Sequence, residues 1–230
     1  MNRLALYFLY LVVQISVAQT VPTFPLKISD NGRYFVDQNG QPFIYQADTG
    51  WQIFSRLTLP EACEYLVTRK VRGFTAIQVM FSFNPDSANR ARQKPLIDYD
   101  FAKPNDAYFA HAERVLTIAD SLGLVINIAP FWIGCCREGF GEGGKHEVYK
   151  QSGSDKVRQM GQYLGGRFGK YKHLLWTMGA ITTPKPSGPK SWRWLRVCIK
   201  PLPGNSLRSM PAYPTAAPIC FNTRPGSATA

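Results

Sequence analysis

Two kinds of apolar pattern alternate along the chain. Residues 74–83 (FTAIQVMFSF), 124–132 (LVINIAPFW) and 173–178 (HLLWTM) are near-continuous apolar runs rich in β-branched and aromatic side chains. Such runs predict strands covered on both faces. Between them the period lengthens. In PNDAYFAHAERVLTIADSLGL, Phe109, Ala112, Val115, Leu116 and Ala119 fall on one helical stripe that stops at Gly123. In LTLPEACEYLVTRKVRGF, Thr58 and Glu61 have capping-box spacing, Pro60 fits a first helical turn and Gly73 closes the segment, so a helix to about Val71 is expected. A third helix is expected at SDKVRQMGQYLGGRFGKY, after a glycine-rich loop over 134–152, and a long aperiodic loop spans 84–103.

Ahead of these elements, residues 26–51 alternate short strand-like runs with the turn signals Asp30-Asn31-Gly32 and Asn39-Gly40. They predict a hairpin feeding a more buried strand over 43–46. The resulting order, β-α-β-α-β-α-β, implies parallel pairing through right-handed crossovers. The expected fold class is α/β, either the first four strands of a (β/α)8 barrel or a doubly wound sheet. No GxGxxG follows the first buried strand to favour nucleotide binding.

Composition divides the chain near Met178. Of 230 residues, 45% are hydrophobic and the net charge is +12, which invites a nucleic-acid or membrane-surface reading. Residues 179–230, however, hold seven Lys and Arg, no Asp or Glu, and nine of the 17 prolines. The basic character is therefore concentrated in a proline-rich tail with no groove-fitting helix, and no specific nucleic-acid partner is expected. At the other end, Arg3, the apolar stretch 4–13 and Ser16-Val17-Ala18 have the form of a signal peptide cleaved after Ala18, so export to a periplasmic or extracellular space is expected, with no membrane span after cleavage. Five cysteines suit an oxidising compartment without forming a dense framework, and Cys63, on a helical pattern, reads as a buried free thiol. There is no CxxC pair and no histidine with a ligand at metal-site spacing; neither metal nor cofactor is expected.

Several residues stand where an α/β fold places its chemistry, at the carboxyl ends of strands. Asp48 and Trp51 follow the first buried strand, as a turn acid and core indole or as ligand contacts. Gln78 is an amide inside an apolar strand, and a buried amide needs a hydrogen-bond partner, structural or ligand. Trp132 ends the third strand, where an indole can stack on a sugar or fill a core. The loop GCCREGFGEGGKHEVY adds Glu138, Glu142, His146 and Tyr149, but no GK[ST] makes it a phosphate loop.

Taken together, LKISDNGRYFVDQNGQPFIYQADTGWQIFSRLT, GFTAIQV, KPNDAYFAHAERVLTIADSLGLVINIAPFW and YLGGRFGKYKHLLWTMG resemble the N-terminal barrel half of the apiosidase-like glycoside hydrolases, over residues 26–179. These are secreted bacterial (β/α)8 enzymes acting on plant pectic side chains. The resemblance implies an incomplete TIM barrel over 19–178, preceded by the hairpin and followed by an irregular basic tail. It also implies a plant cell-wall oligosaccharide or polysaccharide as partner, and a sugar pocket lined by Asp48, Trp51, Gln78 and Trp132. In that family the strand matching 174–178 runs into Gly-Gly-Asp, whose aspartate is one of two catalytic carboxylates. One protonates the leaving oxygen while the other attacks or activates water across the ring. Here the positions read Gly179-Ala180-Ile181, and the second carboxylate would lie beyond residue 230. No catalytic residue is thus expected in this chain.

A one-base slip in the codons for 178–181 accounts for the join. Combining the third base of each codon with the first two of the next admits Gly-Asp-Asn-Asn-Pro-Glu from 179, then an amphipathic helix and another strand; Met210 with Pro211 forces Ala. The other reading is a genuine basic tail, disordered or binding polyanions. The inference for the chain as it stands is an inactive glycosidase-like protein, the alternative being a secreted non-catalytic carbohydrate-binding protein.

Overall fold

In the computed structural model, which describes residues 21–132, 140 and 147–177, the two turn signals do what their residues favour. Gly32 and Gly40 adopt φ of 72° and 76°, a region open to glycine at no steric cost. They fold β1 (Lys27–Ile28), β2 (Phe35–Val36) and β3 (Pro42–Phe43) into a small antiparallel sheet in that order.

The single strand expected over 43–46 does not form. Phe43 completes the antiparallel sheet, and β4 (Ala47–Thr49) opens a separate parallel sheet. Between them Ile44 is 75% exposed. The backbone explains the break: Thr75 and Ala76 donate their N–H groups to Gln46 O at 2.9 and 3.1 Å, so parallel pairing begins only at residue 46.

The parallel sheet runs β4, β5 (Ala76–Ser82), β6 (Val125–Phe131), β7 (Leu174–Trp176), each strand beside its sequence predecessor. A doubly wound sheet reverses its strand order at a switch point. Unbroken sequential addition is the barrel's topology, and this sheet is one arc of an incomplete barrel.

The crossovers carry the helices α1 (Ile53–Arg56), α2 (Leu59–Val71), α3 (Asp106–Ser121) and α4 (Val148–Phe168). Helix α2 starts at a complete capping box: Glu61 N–H donates to Thr58 Oγ1, and Thr58 N–H donates to the Glu61 carboxylate. The stripe expected on α3 is buried along its length, and Gly123, at φ 63°, ends that segment. Helix α4 begins earlier than the sequence pattern suggests. Val148 is buried and starts a first turn that breaks at Gly153 (φ 70°, ψ 175°) before the longer helix resumes.

One main core lies between the helices and one face of the sheet. Alternate strand residues Ile77, Val79, Phe81, Ile126 and Ile128 enter it with Leu66, Phe109, Leu116, Leu164 and Phe168. Phe81 is its hub, with the rings of Phe54, Phe109 and Phe168 at 5.6, 5.4 and 4.6 Å. Cys63 is buried on α2 as expected, but it is disulfide-bonded, which corrects the free-thiol reading. A helical pattern reports burial, whereas pairing depends on a second sulfur that only the fold brings close.

Candidate functional site

Because strand side chains alternate, the face opposite the helices receives the other half of each strand. The register fixes the rows: Thr49 is paired with Gln78 and Gln78 with Asn127, Asn127 with Leu175, and, one layer nearer the carboxyl ends, Met80 with Ala129. A polar row thus lies beneath an apolar one. That apolar row, Met80 and Ala129, forms a second buried cluster with Trp132, and Trp51 and Phe83 pack against it. Phe83 and Trp132 are nearly parallel, with ring centroids 5.8 Å apart and planes 14° from one another.

The two tryptophans reach this cluster through backbone constraints. Gly50 N–H donates to Gln78 O at 2.9 Å and Met80 N–H to Trp51 O at 3.2 Å, tying the turn after β4 to β5. Trp132 N–H donates to Ser82 O, and Phe140 N–H donates to Trp132 O at 2.8 Å. The Trp132 indole is 8% exposed, and its Nε1–H, a buried donor, has no acceptor among the described residues.

The in-register amides of Gln78 and Asn127 differ in use. Asn127 donates from Nδ2 to Tyr45 Oη at 2.7 Å and accepts from Thr177 Oγ1, so both ends of its amide are occupied. Gln78 is half-buried with no side-chain partner among the described residues. Its carbonyl and amino groups face the same side as the aromatic cluster and are open to a ligand.

Asp48 goes the other way. Paired with Ile77, which points into the helix-side core, it shares the helix side of the sheet. There its carboxylate accepts from Arg69 Nε, from Tyr65 Oη at 2.9 Å and from its neighbour's N–H on Thr49 at 2.8 Å. The structure brings Trp51, Gln78 and Trp132 to one face and places Asp48 behind them. The Arg69 hydrogen bond, opposed by desolvation and helped by Tyr65 and Thr49, holds the Asp48 carboxyl below its usual range. Burial, reinforced by Asp48, pushes the Tyr65 phenol up to about 12.

Asn127 and Phe83 joined this face without having been singled out from the sequence. The signal for Asn127 was available, since LVINIAPFW carries an interior amide just as FTAIQVMFSF does. Of the loop residues, Glu138, Glu142 and His146 lie outside the described residues, and Tyr149 packs against the main core, where burial raises its phenol. Among the described residues no group of His, Cys, Asp and Glu could hold a metal ion, and no helix is long and apolar enough to cross a membrane.

Two outcomes are expected. Asn127→Ala removes the hydrogen bonds to the Tyr45 and Thr177 hydroxyls and lowers stability by about 1–2 kcal/mol, whereas Gln78→Ala changes it by less than about 0.5 kcal/mol; urea unfolding midpoints separate the two. For Asp48, whose folded pKa is depressed, the carboxylate's contribution is fully present above its unfolded pKa of about 3.9 and is lost as pH falls through the lower folded value. The stability gap between the native chain and Asp48→Asn should therefore be constant near neutrality and close on acidification below about pH 4, measured by urea unfolding at a series of pH values.

Comparison with known proteins gives this arrangement a family. The family model described as "Apiosidase-like, catalytic domain" matches residues 29–216, a range that runs past Met178. Among solved structures, one described as a glycoside hydrolase superposes with a TM-score of 0.60 at 26% identity, covering 75% of this chain and 37% of its own. A glycoside hydrolase family 5 protein from Bacteroides vulgatus gives 0.59 at 22% identity, covering 75% and 36%. A family 5 mannosidase from Rhizomucor miehei gives 0.50 at 16% identity, covering 75% and 52%. The chain thus spans little more than a third of the first two. No curated protein matches it. A sequential parallel arc with an aromatic cluster at its carboxyl ends, matched over these residues, belongs to the apiosidase-like catalytic domain family of glycoside hydrolases.

Proposed function

We propose that this chain derives from an exported glycosidase of plant pectic side chains and, as it stands, keeps saccharide binding while lacking hydrolysis. The observation that supports binding is the Gln78 amide and the buried Trp132 Nε1–H, neither with a partner among the described residues, on the face that carries the partly exposed rings of Trp51 and Phe83. Sugars present apolar ring faces edged by hydroxyls, and such a mixed surface fits both. What supports the loss of hydrolysis is Ile181, which stands where the resemblance calls for a carboxylate. An alkyl side chain can neither protonate a leaving oxygen nor attack the anomeric carbon.

Export rests on the signal-like segment ending at Ala18. The disulfide at Cys63 supports it, because structural disulfides persist in oxidising compartments. Titration with pectic oligosaccharides should quench tryptophan fluorescence saturably, and Trp132→Ala should abolish the response; an unchanged response in that variant refutes the site. Release of sugar from apiose-containing oligosaccharides above a buffer blank would show that catalytic groups exist elsewhere.

The one-base slip near codons 178–181 remains part of the proposal, motivated by the acid-free composition of 179–230. Sequencing the DNA there should find that one restored base opens a frame with aspartate in place of Ile181. A stop within a few codons of the restored frame would refute the slip.

A further inference from the structure

We infer that Asp48 is a positioning residue that sets Trp51 for the saccharide face from behind the sheet, by clamping the turn after β4 through Tyr65 and Arg69. The inference deepens the saccharide-binding proposal and rests on it for its function, though not for its geometry.

Three donors converge on the carboxylate, two of them from α2: Tyr65 Oη at 2.9 Å and Arg69 Nε. The same pair is stacked, with Arg69 Cζ 4.5 Å from the centre of the Tyr65 ring. Held this way, Tyr65 presses on the turn. A Cβ built on Gly50 would lie 3.2 Å from Tyr65 Oη, 3.3 Å from its Cε1 and 3.0 Å from Ile77 Cγ2. Residue 50 therefore runs through a slot between the tyrosine and β5 that leaves no slack for a side chain.

The opposite side of the turn is fixed to β5 by the Gly50-to-Gln78 and Met80-to-Trp51 backbone bonds. With the turn pinned from both sides, the Trp51 indole packs against Met80, Ala129 and Trp132. In Asp48→Asn one of the two acceptor oxygens becomes an NH2 donor, so the amide cannot serve Thr49 through one oxygen and Tyr65 with Arg69 through the other, and the clamp loses its shared charged acceptor. Tyr65 then ceases to hold the turn against β5. Asp48 itself lies on the helix side of the sheet with its carboxylate engaged by Tyr65, Arg69 and Thr49, so its influence on the aromatic face runs through the turn.

The test uses the full chain labelled with 5-fluorotryptophan, with the Trp51 resonance assigned by its loss in Trp51→Phe. Asp48→Asn, Arg69→Ala and Tyr65→Phe should each shift or broaden the Trp51 resonance and leave that of Trp176 in place. Asp48→Asn combined with Arg69→Ala should move it no further than either alone, since both break one clamp. Affinity for pectic oligosaccharides should fall about threefold to tenfold in the same variants. Tyr65→Phe removes one hydroxyl and keeps the test open if Asp48→Asn does not fold.

A fold-stabilising ion pair with no positioning role would lower the unfolding midpoint while leaving the Trp51 resonance of the folded chain unmoved, and that result overturns the inference. So does weakened saccharide binding with an unmoved Trp51 resonance. If the resonance moves but the unsubstituted chain binds no saccharide, the positioning geometry stands and the saccharide proposal falls.

Discussion

The ladder between β5 and β6 is the interaction on which the rest of this structure depends. It is the longest pairing in the parallel sheet, running from Ala76 opposite Val125 to Ser82 opposite Phe131. Both neighbouring strands are only three residues long and take their register from it. Once that register is set, alternation sends Ile77, Val79 and Phe81 to the helices and Gln78 and Met80 to the opposite face. A slip of one residue would exchange the two sets, placing a polar amide in the main core and phenylalanine on the site.

The helix layer supports that register through contacts of two kinds. Aromatic packing around Phe81 joins α1, α3 and α4 to the carboxyl end of β5. Charged groups then tie the helices laterally: Arg167 on α4 donates to Glu113 at 2.8 Å and to Asp106 at 2.7 Å on α3, while Lys156 reaches Asp100 in the loop after β5 at 2.7 Å. That loop carries the chain away from Phe83, one of the aromatic rings of the site.

The site shows how one strand pair can serve two purposes. Gln78 and Asn127 are opposite each other on adjacent strands, yet Asn127 is consumed in bracing Tyr45 to Thr177 and the Gln78 side chain has no partner among the described residues. A satisfied amide stiffens its surroundings, whereas an unsatisfied one beside a buried indole donor offers a ligand the partners that the protein lacks. Behind the sheet, Asp48 with Tyr65 and Arg69 contributes rigidity where the chain must turn sharply between a strand and a short helix.

Much of this was legible in the residues. The apolar runs at 74–83 and 124–132, the capping box at Thr58 and Glu61, and the stripe ending at Gly123 each carry local physics strong enough to decide the element type. Order and crossover length then restrict the topology to an α/β arrangement, and specific motifs pointed to the family. The sequence could not tell a buried thiol from a bridged one at Cys63, nor place the break at Ile44. It could not say that Asp48 faces the helices while Gln78 faces the site. Element type follows from neighbours a few residues away, but side-chain direction in a three-residue strand follows from which residue it pairs with across the sheet, and only the tertiary structure holds that information.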